Sequence, residues 1–319
     1  MAQGLILVTG ASGFVGGAVA GRLALDRQAR LRLAVRSRPE SLPEVAEVVI
    51  QSLSSQTDWS RALDGVTEVV HAAARVHVMR EEAADPLAAY RRVNVDGTLR
   101  LARQAAAAGV RRFVFISSIK VNGESTEPGH AYSPDAEPAP VDAYGVSKQE
   151  AELGLRQIAS ESSLDVVVIR PVLVYGPGVK GNFASMLRWI QSGIPLPLAS
   201  IRNRRSLVAL DNLVDLVVTC VVHPKAANQT FLVSDQEDLS TPDLLRRAGE
   251  ALGKPARLFS VPVATLEAVA RACGRGDLAQ RLCGSLQVDI SKTQTLLGWT
   301  PPLGVDAALR FTAQHLAKR

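Results

Sequence analysis

Short runs of apolar residues alternate with longer segments in which apolar residues recur at helical spacing through the first half of the chain. The runs are rich in valine, isoleucine and leucine and lie at 5–9, 31–35, 47–50, 68–71, 113–116 and 165–170. Strands that are buried on both faces of a parallel sheet show such nearly continuous runs. The pattern therefore predicts the α/β class, with a Rossmann-type doubly wound parallel sheet.

Two further features interrupt this alternation. The segment 85–109 predicts a long helix, with Pro86 in its first turn and Gly109 at its end. The segment 123–140 is rich in Gly, Pro, Ser and Glu and has no apolar period. We interpret it as a long irregular loop that covers a binding site.

The regular alternation ends near residue 175, where helical segments and loops take over. The remainder predicts helices at 182–193, 211–223 and 241–253, a return strand at 229–234 and an amphipathic segment at 261–272 that we expect to serve packing. We therefore divide the chain into a first domain at 1–175, with a return segment at 207–238, and a smaller, mostly helical domain formed by 176–206 and 239–319.

Composition narrows the functional classes. Hydrophobic residues make up 47% of the 319, which is ample for a core. The net charge of +5 is spread along a chain with 4% aromatic residues, so it does not indicate a nucleic-acid partner. Three cysteines without CxxC spacing predict reduced thiols, no metal and a cytoplasmic location. No apolar stretch reaches the length of a membrane span.

The first apolar run ends in a glycine-rich turn, and a helical segment begins at Phe14. Gly10 permits a tight turn, Gly13 leaves room for a pyrophosphate beside the backbone, and Gly16 allows close packing of the helix. The helix would offer its unpaired N–H groups and positive dipole end to the phosphates. This strand–turn–helix context predicts a dinucleotide site.

A second constellation suits proton transfer. Tyr144 and Lys148 are four residues apart, so on a helix they share a face. A neighbouring ammonium favours the phenolate of a tyrosine, whose ordinary pKa is about 10. Ser118 follows an apolar run and so lies at the carboxyl end of a strand, where ligands of such sheets bind. These three residues can exchange a proton with an alcohol or ketone oxygen while a hydride moves at carbon.

These motifs, with Asn94-Val95-Asp96-Gly97-Thr98 and Arg170-Pro171 followed by Val174-Tyr175-Gly176-Pro177, occur in the order seen in extended short-chain dehydrogenases/reductases. The chain resembles the nucleotide-sugar branch, the NAD-dependent epimerase/dehydratase family. The segments 118–124 and 203–208 resemble bacterial UDP-glucose 4-epimerase-like and UDP-4-keto-6-deoxy-sugar 4-reductase proteins of surface-polysaccharide synthesis. The resemblance implies that 1–175 is an NAD(P)-binding domain, that the smaller domain binds substrate, and that the protein is a homodimer.

The resemblance also implies roles for single residues. Ser118, Tyr144 and Lys148 would be catalytic, with Lys148 holding the nicotinamide ribose, and Asn94 would brace the active-site backbone. The cofactor contacts expected with them are Gly10, Ser12, Gly13, Phe14, Val15, Gly16, Arg36, Ser37, Arg38, Leu53, Ala72, Ala73, Ala74, Asn94, Ser117, Tyr144, Lys148, Pro171 and Val174. Expected contacts to a UDP-sugar are Arg75, His77, Lys120, Asn182 and Arg205. For Lys120, a solvent-facing position is an equal alternative, and Arg75 and His77 are alternatively plain loop residues.

Arg36 bears on the choice of cofactor. It lies 20 residues beyond Gly16, where NAD-binding units carry an acid for the ribose and NADP-binding units carry a cation for the 2′-phosphate. A guanidinium can hold that phosphate with two hydrogen bonds. Arg36 therefore favours NADP(H), with NAD(H) as the alternative.

The reaction follows from that choice. Relatives that dehydrate carry an Asp-Glu pair after the catalytic hydroxyl residue, and here Ile119 and Lys120 stand there, which disfavours dehydration. A reductase that releases its cofactor suits NADPH, so we favour NADPH-dependent reduction of a UDP-linked 4-keto, 6-deoxy hexose. The alternative is an NAD-dependent UDP-hexose 4-epimerase of the UDP-glucose or UDP-N-acetylglucosamine type. A further alternative is a non-catalytic NADP(H)-binding protein.

Overall fold

The computed structural model describes residues 4–25, 30–37, 46–76, 85–127, 129–274 and 276–317. Its main sheet has seven strands in the order β3-β2-β1-β4-β5-β6-β9, and all adjacent pairs are parallel. The strands are β1 Leu5–Thr9, β2 Arg30–Val35, β3 Ala46–Ile50, β4 Val66–His71, β5 Arg112–Ile116, β6 Asp165–Pro171 and β9 Thr230–Val233. The predicted doubly wound sheet is confirmed.

The strand order places the site. The chain runs outward from β1 through β2 to β3, then crosses back and runs from β4 to β6 on the other side. The order therefore reverses between β1 and β4, and ligands of such sheets bind at this switch point, outside the carboxyl ends of the strands. The glycine turn follows β1, and Ser117 and Ser118 follow β5, so these motifs lie at the same edge.

Helices cover both faces of the sheet and build the smaller domain. They are α1 Phe14–Ala24, α2 Ser60–Leu63, α3 Pro86–Tyr90, α4 Thr98–Ala107, α5 Ala143–Glu161, α6 Gly181–Ser192, α7 Leu210–Val222, α8 Thr241–Ala251, α9 Val263–Ala272, α10 Gly276–Cys283, α11 Ser291–Leu297 and α12 Val305–Ala317. Short 3₁₀ turns lie at Ile119–Val121 and Pro224–Ala226. Among the described helices, none combines the length and apolarity that a bilayer crossing requires.

Alternation along the strands separates two cores. Successive residues of a strand point to opposite faces of its sheet. Leu5 and Leu7 of β1 accordingly join one buried cluster, which includes Phe113 and Leu155, while Ile6 and Val8 join another, with much of α7. The sheet is thus buried on both faces, which explains the continuous apolar runs in the sequence.

The segment after residue 175 leaves the sheet, returns and leaves again. Strands β7 Leu173–Tyr175 and β8 Leu207–Ala209 pair in a separate parallel sheet, which the sequence pattern did not predict because each has three residues. The predicted return strand is β9, which pairs with β6. A third cluster, which includes Phe183, Leu187 and Leu245, forms the core of the smaller domain.

The predicted long helix at 85–109 is interrupted. Asp85 accepts a hydrogen bond from the Ala88 N–H and caps α3, and Gly109 ends α4 at a φ of +77°. Between α3 and α4, the residues Arg91–Gly97 form a π-helical stretch. Such π-bulges occur frequently at functional sites, and this one contains Asn94.

The loop interpreted as a cover is anchored to the smaller domain. Backbone N–H groups of Thr126 and Tyr132 donate to the carbonyls of Ser285 and Gln287, and Asp289 N–H donates back to the Tyr132 carbonyl. The Tyr132 hydroxyl also donates to the Ser125 carbonyl at 2.7 Å. In this structure the loop therefore spans the two parts of the molecule.

Candidate active site

The glycine turn fits tightly against its neighbours. Gly10 has a φ of +70°, and a Cβ there would lie 2.7 Å from the Ala73 nitrogen. A Cβ on Gly16 would lie 2.3 Å from the Gly10 carbonyl oxygen, so the turn and helix α1 touch backbone to backbone. A Cβ on Gly13 would contact only the Gly10 oxygen, at 3.1 Å. The turn therefore leaves open backbone on the side where a ligand would approach.

This geometry fits a dinucleotide. Gly13 precedes the first turn of α1, and no side chain caps the helix there. The amide N–H groups of that turn are then available to a phosphate, together with the dipole of an 11-residue helix. Ser12 precedes Gly13 and is exposed, and Phe14 and Val15 begin the helix partly buried.

Other predicted cofactor residues line the same edge. Arg36 and Ser37 follow β2 and are exposed, whereas Arg38 lies outside the described residues. Ala72, Ala73 and Ala74 follow β4, and the Ala73 N–H donates to the Thr9 hydroxyl at 3.3 Å. Leu53 packs against the π-helical stretch, where its Cγ lies 2.8 Å from a Cβ built on Gly97. Pro171 and Val174 lie at and just beyond the end of β6.

Helix α5 presents Tyr144 and Lys148 in its first two turns. Asp142 caps the helix, because its carboxylate accepts from the Gly145 N–H at 2.7 Å. The Lys148 Nζ lies 5.9 Å from the centre of the Tyr144 ring. The predicted pairing of the two side chains on one helical face is therefore present.

Lys148 is deeply buried. Its residue is 2% exposed, its ammonium donates to the Ile116 carbonyl at 2.9 Å, and it lies 4.4 Å from the centre of the Phe115 ring. Burial lowers the pKa of Lys148 to about 7, and the Glu152 carboxylate acts weakly in the opposite direction. The amine is thus poised to change its charge near neutral pH.

Tyr144 shifts in the direction that favours a neutral phenol. Burial raises its pKa well above the ordinary range, the nearby Asp142 and Tyr90 add to the rise, and the Ser118 hydroxyl lowers it. The Tyr90 ring meets the Tyr144 ring edge-on, with 6.0 Å between centres. The polypeptide therefore holds a protonated tyrosine beside an amine of low basicity, and any added positive charge here would favour the phenolate.

The two serines after β5 have different surroundings. Ser118 begins the 3₁₀ turn, where its Oγ accepts from the Lys120 N–H at 3.3 Å, and it is partly exposed. Ser117 is buried, and its hydroxyl donates to Glu152 Oε1 at 2.5 Å. Ser118 is therefore the hydroxyl beside Tyr144, and Ser117 belongs to an internal network.

Asn94 joins three segments from within the π-helical stretch. Its Oδ1 accepts from the Arg75 N–H at 2.8 Å, and its Nδ2 donates to the Arg75 carbonyl and to Ser147 Oγ, both at 3.0 Å. Asn94 is fully buried. The loop after β4 is thereby tied to helix α5.

The residues predicted to meet substrate are distributed over several segments. His77 lies outside the described residues. The Arg75 guanidinium lies 5.4 Å from the centre of the Tyr90 ring. Asn182 is exposed at the start of α6. Lys120 does not face solvent freely, because its Nζ donates to Glu124 at 2.6 Å and to Asp142 at 2.5 Å.

Arg205 is partly buried and donates to the Gly284 carbonyl at 2.9 Å. Burial lowers its pKa, the like charge of Arg281 acts in the same direction, and Glu124 opposes it. The charge of the Arg281 guanidinium is thus felt at Arg205, and a guanidinium suits paired phosphate oxygens. The sequence interpretation missed Arg281, because it lies 76 positions from Arg205 and no local pattern joins them.

Sequence reasoning also missed the network behind the site. Arg170 donates to the Glu152 carboxylate at 2.9 Å and 2.6 Å, and its Nη1 donates to Asn122 Oδ1 at 2.9 Å. The side chains of Arg170 and Glu152 are 1% and 2% exposed. Glu152 lies four residues beyond Lys148, so helical spacing could have placed it on the same face.

The sequence was compared with those of known protein families. The sequence profile of the NAD dependent epimerase/dehydratase family matches residues 6–234. The chain belongs to this family. It is accordingly an NAD(P)-dependent enzyme of the extended short-chain dehydrogenase/reductase type, as its motifs predicted.

Several family members match nearly the whole chain. A UDP-glucose 4-epimerase from Vibrio cholerae is 48% identical over 314 residues, which cover 97% of this chain and 94% of that protein. An N-acetyl-alpha-D-glucosaminyl-diphospho-ditrans,octacis-undecaprenol 4-epimerase from Escherichia coli O157:H7 is 24% identical and covers 98% of this chain and 96% of its own. The structure of UDP-glucuronic acid 4-epimerase from Bacillus cereus in complex with NAD aligns with a TM-score of 0.79 at 20% identity, over 98% and 96% of the two chains. At that identity, the likeness shows the fold alone.

Proposed function

We propose that this protein is an NAD-dependent 4-epimerase of a UDP-linked hexose. The observation that carries the proposal is the set of Ser118, Tyr144 and Lys148 beside the glycine turn, in a chain 48% identical to a UDP-glucose 4-epimerase. The sequence alone favoured a 4-keto reductase, and the names of the relatives support epimerisation instead. The expected cytoplasmic location and homodimer stay predictions.

The residues divide the chemistry between them. Tyr144 would exchange a proton with the oxygen at C4, and Ser118 would hydrogen-bond the same oxygen. Lys148 would hold the nicotinamide ribose and favour the Tyr144 phenolate when charged. Bound NAD would supply the hydride acceptor and donor. Epimerisation further requires that the bound 4-keto sugar rotate within the site, so that the hydride returns to the other face of C4.

The diphosphate would be held at the other end. Arg205 would bind paired phosphate oxygens through its guanidinium, and the positive charge of Arg281, which acts on Arg205, would add to the attraction of the diphosphate. Asn182 is exposed at the start of α6 and is available to the same substrate. The hexose would then lie between these residues and Tyr144, in reach of the loop that starts at Gly123.

The deciding experiment follows sugar configuration without added reductant. Purified protein supplied with NAD and UDP-glucose or UDP-N-acetylglucosamine is expected to form the C4 epimer of one of them, read by proton NMR. No net NADH should accumulate, because the hydride taken up by NAD returns to the sugar. Consumption of NADPH with a UDP-4-keto sugar, without interconversion of the C4 epimers, would contradict the epimerase proposal and support the reductase.

Substrate binding is tested separately. Arg205→Ala is expected to weaken UDP binding at least tenfold by calorimetry, because it removes the guanidinium proposed to hold the diphosphate. Arg204→Ala is the matched control, since Arg204 is the exposed neighbour in the same segment. Equal losses in both variants would argue against a diphosphate site at Arg205.

A reductase remains the second candidate because of Arg36. This exposed guanidinium at the end of β2 is available to a 2′-phosphate. Fluorescence titration with NADPH and NADH tests it: a preference for NADPH that is lost in Arg36→Ala but kept in Arg22→Ala supports NADP(H). Arg22 is an exposed arginine in the last turn of α1. Protein that retains NAD through purification and gains nothing from the 2′-phosphate supports the epimerase.

A further inference from the structure

Lys120 connects three segments around the catalytic tyrosine. It lies in the 3₁₀ turn that Ser118 begins, and its backbone N–H donates to the Ser118 hydroxyl. Its carbonyl oxygen lies 2.9 Å from a Cβ built on Gly145, so the turn packs closely on helix α5. Its ammonium lies between the carboxylates of Glu124, in the loop, and Asp142, at the start of α5.

Asp142 is an unusual neighbour for Tyr144. Its Oδ1 caps α5, while its Oδ2 accepts from Lys120. A carboxylate is favourable at a helix N-terminus, but this one lies two positions before a tyrosine that must ionise. Its negative charge raises the pKa of Tyr144 and thus opposes formation of the phenolate.

Three other groups around Tyr144 have contacts of their own. Lys148 lies below the ring and donates to the Ile116 carbonyl, the Tyr90 ring packs edge-on, and the Arg75 guanidinium lies over Tyr90. In the described ranges, Lys120 is the cation hydrogen-bonded to Asp142. The pair is about one-third exposed, at 27% and 35%, so solvent screens its field in part.

We propose that Lys120 is a positioning residue that offsets part of the negative charge of Asp142, so that α5 keeps a carboxylate cap at a smaller electrostatic cost to ionisation of the Tyr144 hydroxyl. This inference rests on the proposed role of Tyr144 as the proton-transfer group. It assigns Lys120 to the enzyme's own electrostatics, in place of the sugar or phosphate contact that the sequence suggested.

The first test needs no sugar. Protein loaded with NAD and labelled with ¹³C at tyrosine Cζ is titrated by NMR, and the Tyr144 signal is assigned by its loss in Tyr144→Phe. Lys120→Met is expected to raise the Tyr144 midpoint by about 0.5 to 1 pH unit, because two partly screened carboxylates then lack their cation. Lys120→Arg is expected to keep the wild-type midpoint.

A double variant separates charge from packing. Adding Asp142→Asn to Lys120→Met removes the carboxylate nearer to Tyr144, leaves only Glu124 without its cation, and retains a good N-cap side chain. The midpoint should return to within about 0.3 unit of wild type, if the effect is electrostatic. A shift that persists in the double variant, or no shift in Lys120→Met, overturns the proposal.

Turnover supplies a second readout. In the Lys120→Met enzyme, the rising limb of kcat against pH should move up by the same amount, which lowers kcat about three- to tenfold at pH 7. Lys292→Met is the matched control, because it also removes a lysine–carboxylate pair, with Asp135 of the same loop. An equal change in both variants would mean that loosening the loop causes the effect, and would overturn the proposal.

Two outcomes keep the inference separate from the proposed function. If the Tyr144 midpoints shift as expected in the variants but no UDP-hexose is turned over, the result counts against the epimerase and supports the role of Lys120. Should Lys120→Met fail to fold, Asp142→Asn alone is expected to lower the Tyr144 midpoint, because it removes the negative charge near the Tyr144 hydroxyl while Lys120 stays paired with Glu124. An unchanged midpoint in that variant overturns the proposal.

Discussion

Helix α5 carries two buried ionisable side chains, Glu152 and Lys148, whose charges are accommodated in opposite ways. Behind the site, Glu152 is bound by Arg170 through two short hydrogen bonds and also accepts from Ser117. Facing the site, Lys148 is equally buried but is held by a carbonyl and an aromatic ring. One side chain is compensated within the protein, whereas the other has its charge suppressed.

Lys148 and Glu152 share one side of α5, so the difference separates the first two turns of the helix, here called its working end, from the turn that follows. A buried charge is tolerated when paired, and otherwise it shifts its pKa and becomes neutral. Glu152 shows the first outcome, and Lys148, whose pKa falls to about 7, shows the second. A group kept away from its ordinary pKa costs stability, and such groups concentrate at functional sites.

The largest expected effect is on kcat and comes from the working end of α5. Tyr144→Phe should lower kcat by about 10² to 10⁴-fold, because it removes the group that moves the proton. Its thermal stability should stay within about 1 kcal/mol of wild type, since the ring remains in place. Tyr132→Phe, a tyrosine of the loop, is the control in the same assay. A kcat within threefold of wild type in Tyr144→Phe would refute the catalytic assignment.

The compensated side chain should respond in stability. Arg170→Met is expected to lower the free energy of unfolding by about 3 to 5 kcal/mol, because the buried Glu152 carboxylate then keeps only the half-exposed Arg156, at 3.6 Å, as a cation. Denaturant unfolding measures this, with Arg246→Met as a control for a pair that is half exposed. Adding Glu152→Gln to Arg170→Met should recover part of the loss. No recovery would mean that packing, and not charge, dominates the network.

The suppressed side chain should respond with the opposite sign. Lys148→Met is expected to stabilise protein stripped of nucleotide by about 2 to 4 kcal/mol at pH 6, because a buried ammonium is no longer required. The folded pKa of Lys148 is about 7 and its ordinary value is 10.5, so the unfolded state binds more protons between these values. Wild-type stability therefore rises with pH across this window.

It follows that the advantage of Lys148→Met should shrink as pH rises from about 7 towards 10. Thermal unfolding at pH 6, 8 and 9.5 measures the difference between the two proteins, and Lys292→Met serves as the lysine control. A difference that does not vary with pH would show that burial of the charge is not its cause.

The smallest expected effect comes from a hydrogen-bond link that supports the working end of α5. Ser147 accepts from Asn94 Nδ2 at 3.0 Å and donates to the Tyr144 carbonyl at 2.8 Å. Ser147→Ala should cost about 1 kcal/mol of unfolding free energy and lower kcat less than threefold, since Asn94 keeps its bonds to Arg75. Ser160→Ala, whose hydroxyl makes the same kind of bond on the exposed side of α5, should cost less than half of that. Equal costs would mean that the link to Asn94 carries no weight.

Local pattern predicted much of this molecule. The runs at 5–9 and 113–116 predicted buried strands because residues of a central parallel strand face apolar helices on both sides. The turn after β1 was readable because Gly10 needs a positive φ and Gly16 cannot carry a Cβ. Spacing of four placed Tyr144 and Lys148 on one face, and Pro86 and Gly109 marked the two ends of the segment 85–109.

Pairings distant in sequence could not be predicted in this way. Lys120 was expected to meet substrate or solvent, and it meets Glu124 and Asp142 because the 3₁₀ turn packs on the start of α5. The short strands β7 and β8 have three residues each, too few to show a period, and they pair across 31 intervening residues. The loop at 123–140 was read as irregular, which is correct, but its anchor on 285–289 follows from no local signal.

The sequence by itself determined the sheet, the glycine turn and the spacing of Tyr144 and Lys148, because each depends on residues that are neighbours in the chain or one helical turn apart. Only the tertiary structure decided the electrostatics of the site. The charge of Lys148, the pairing of Asp142 with Lys120 and the effect of Arg281 on Arg205 depend on burial and on contacts across the fold. Burial and distance set the strength of charge interactions, and neither is encoded in the spacing of residues along the chain.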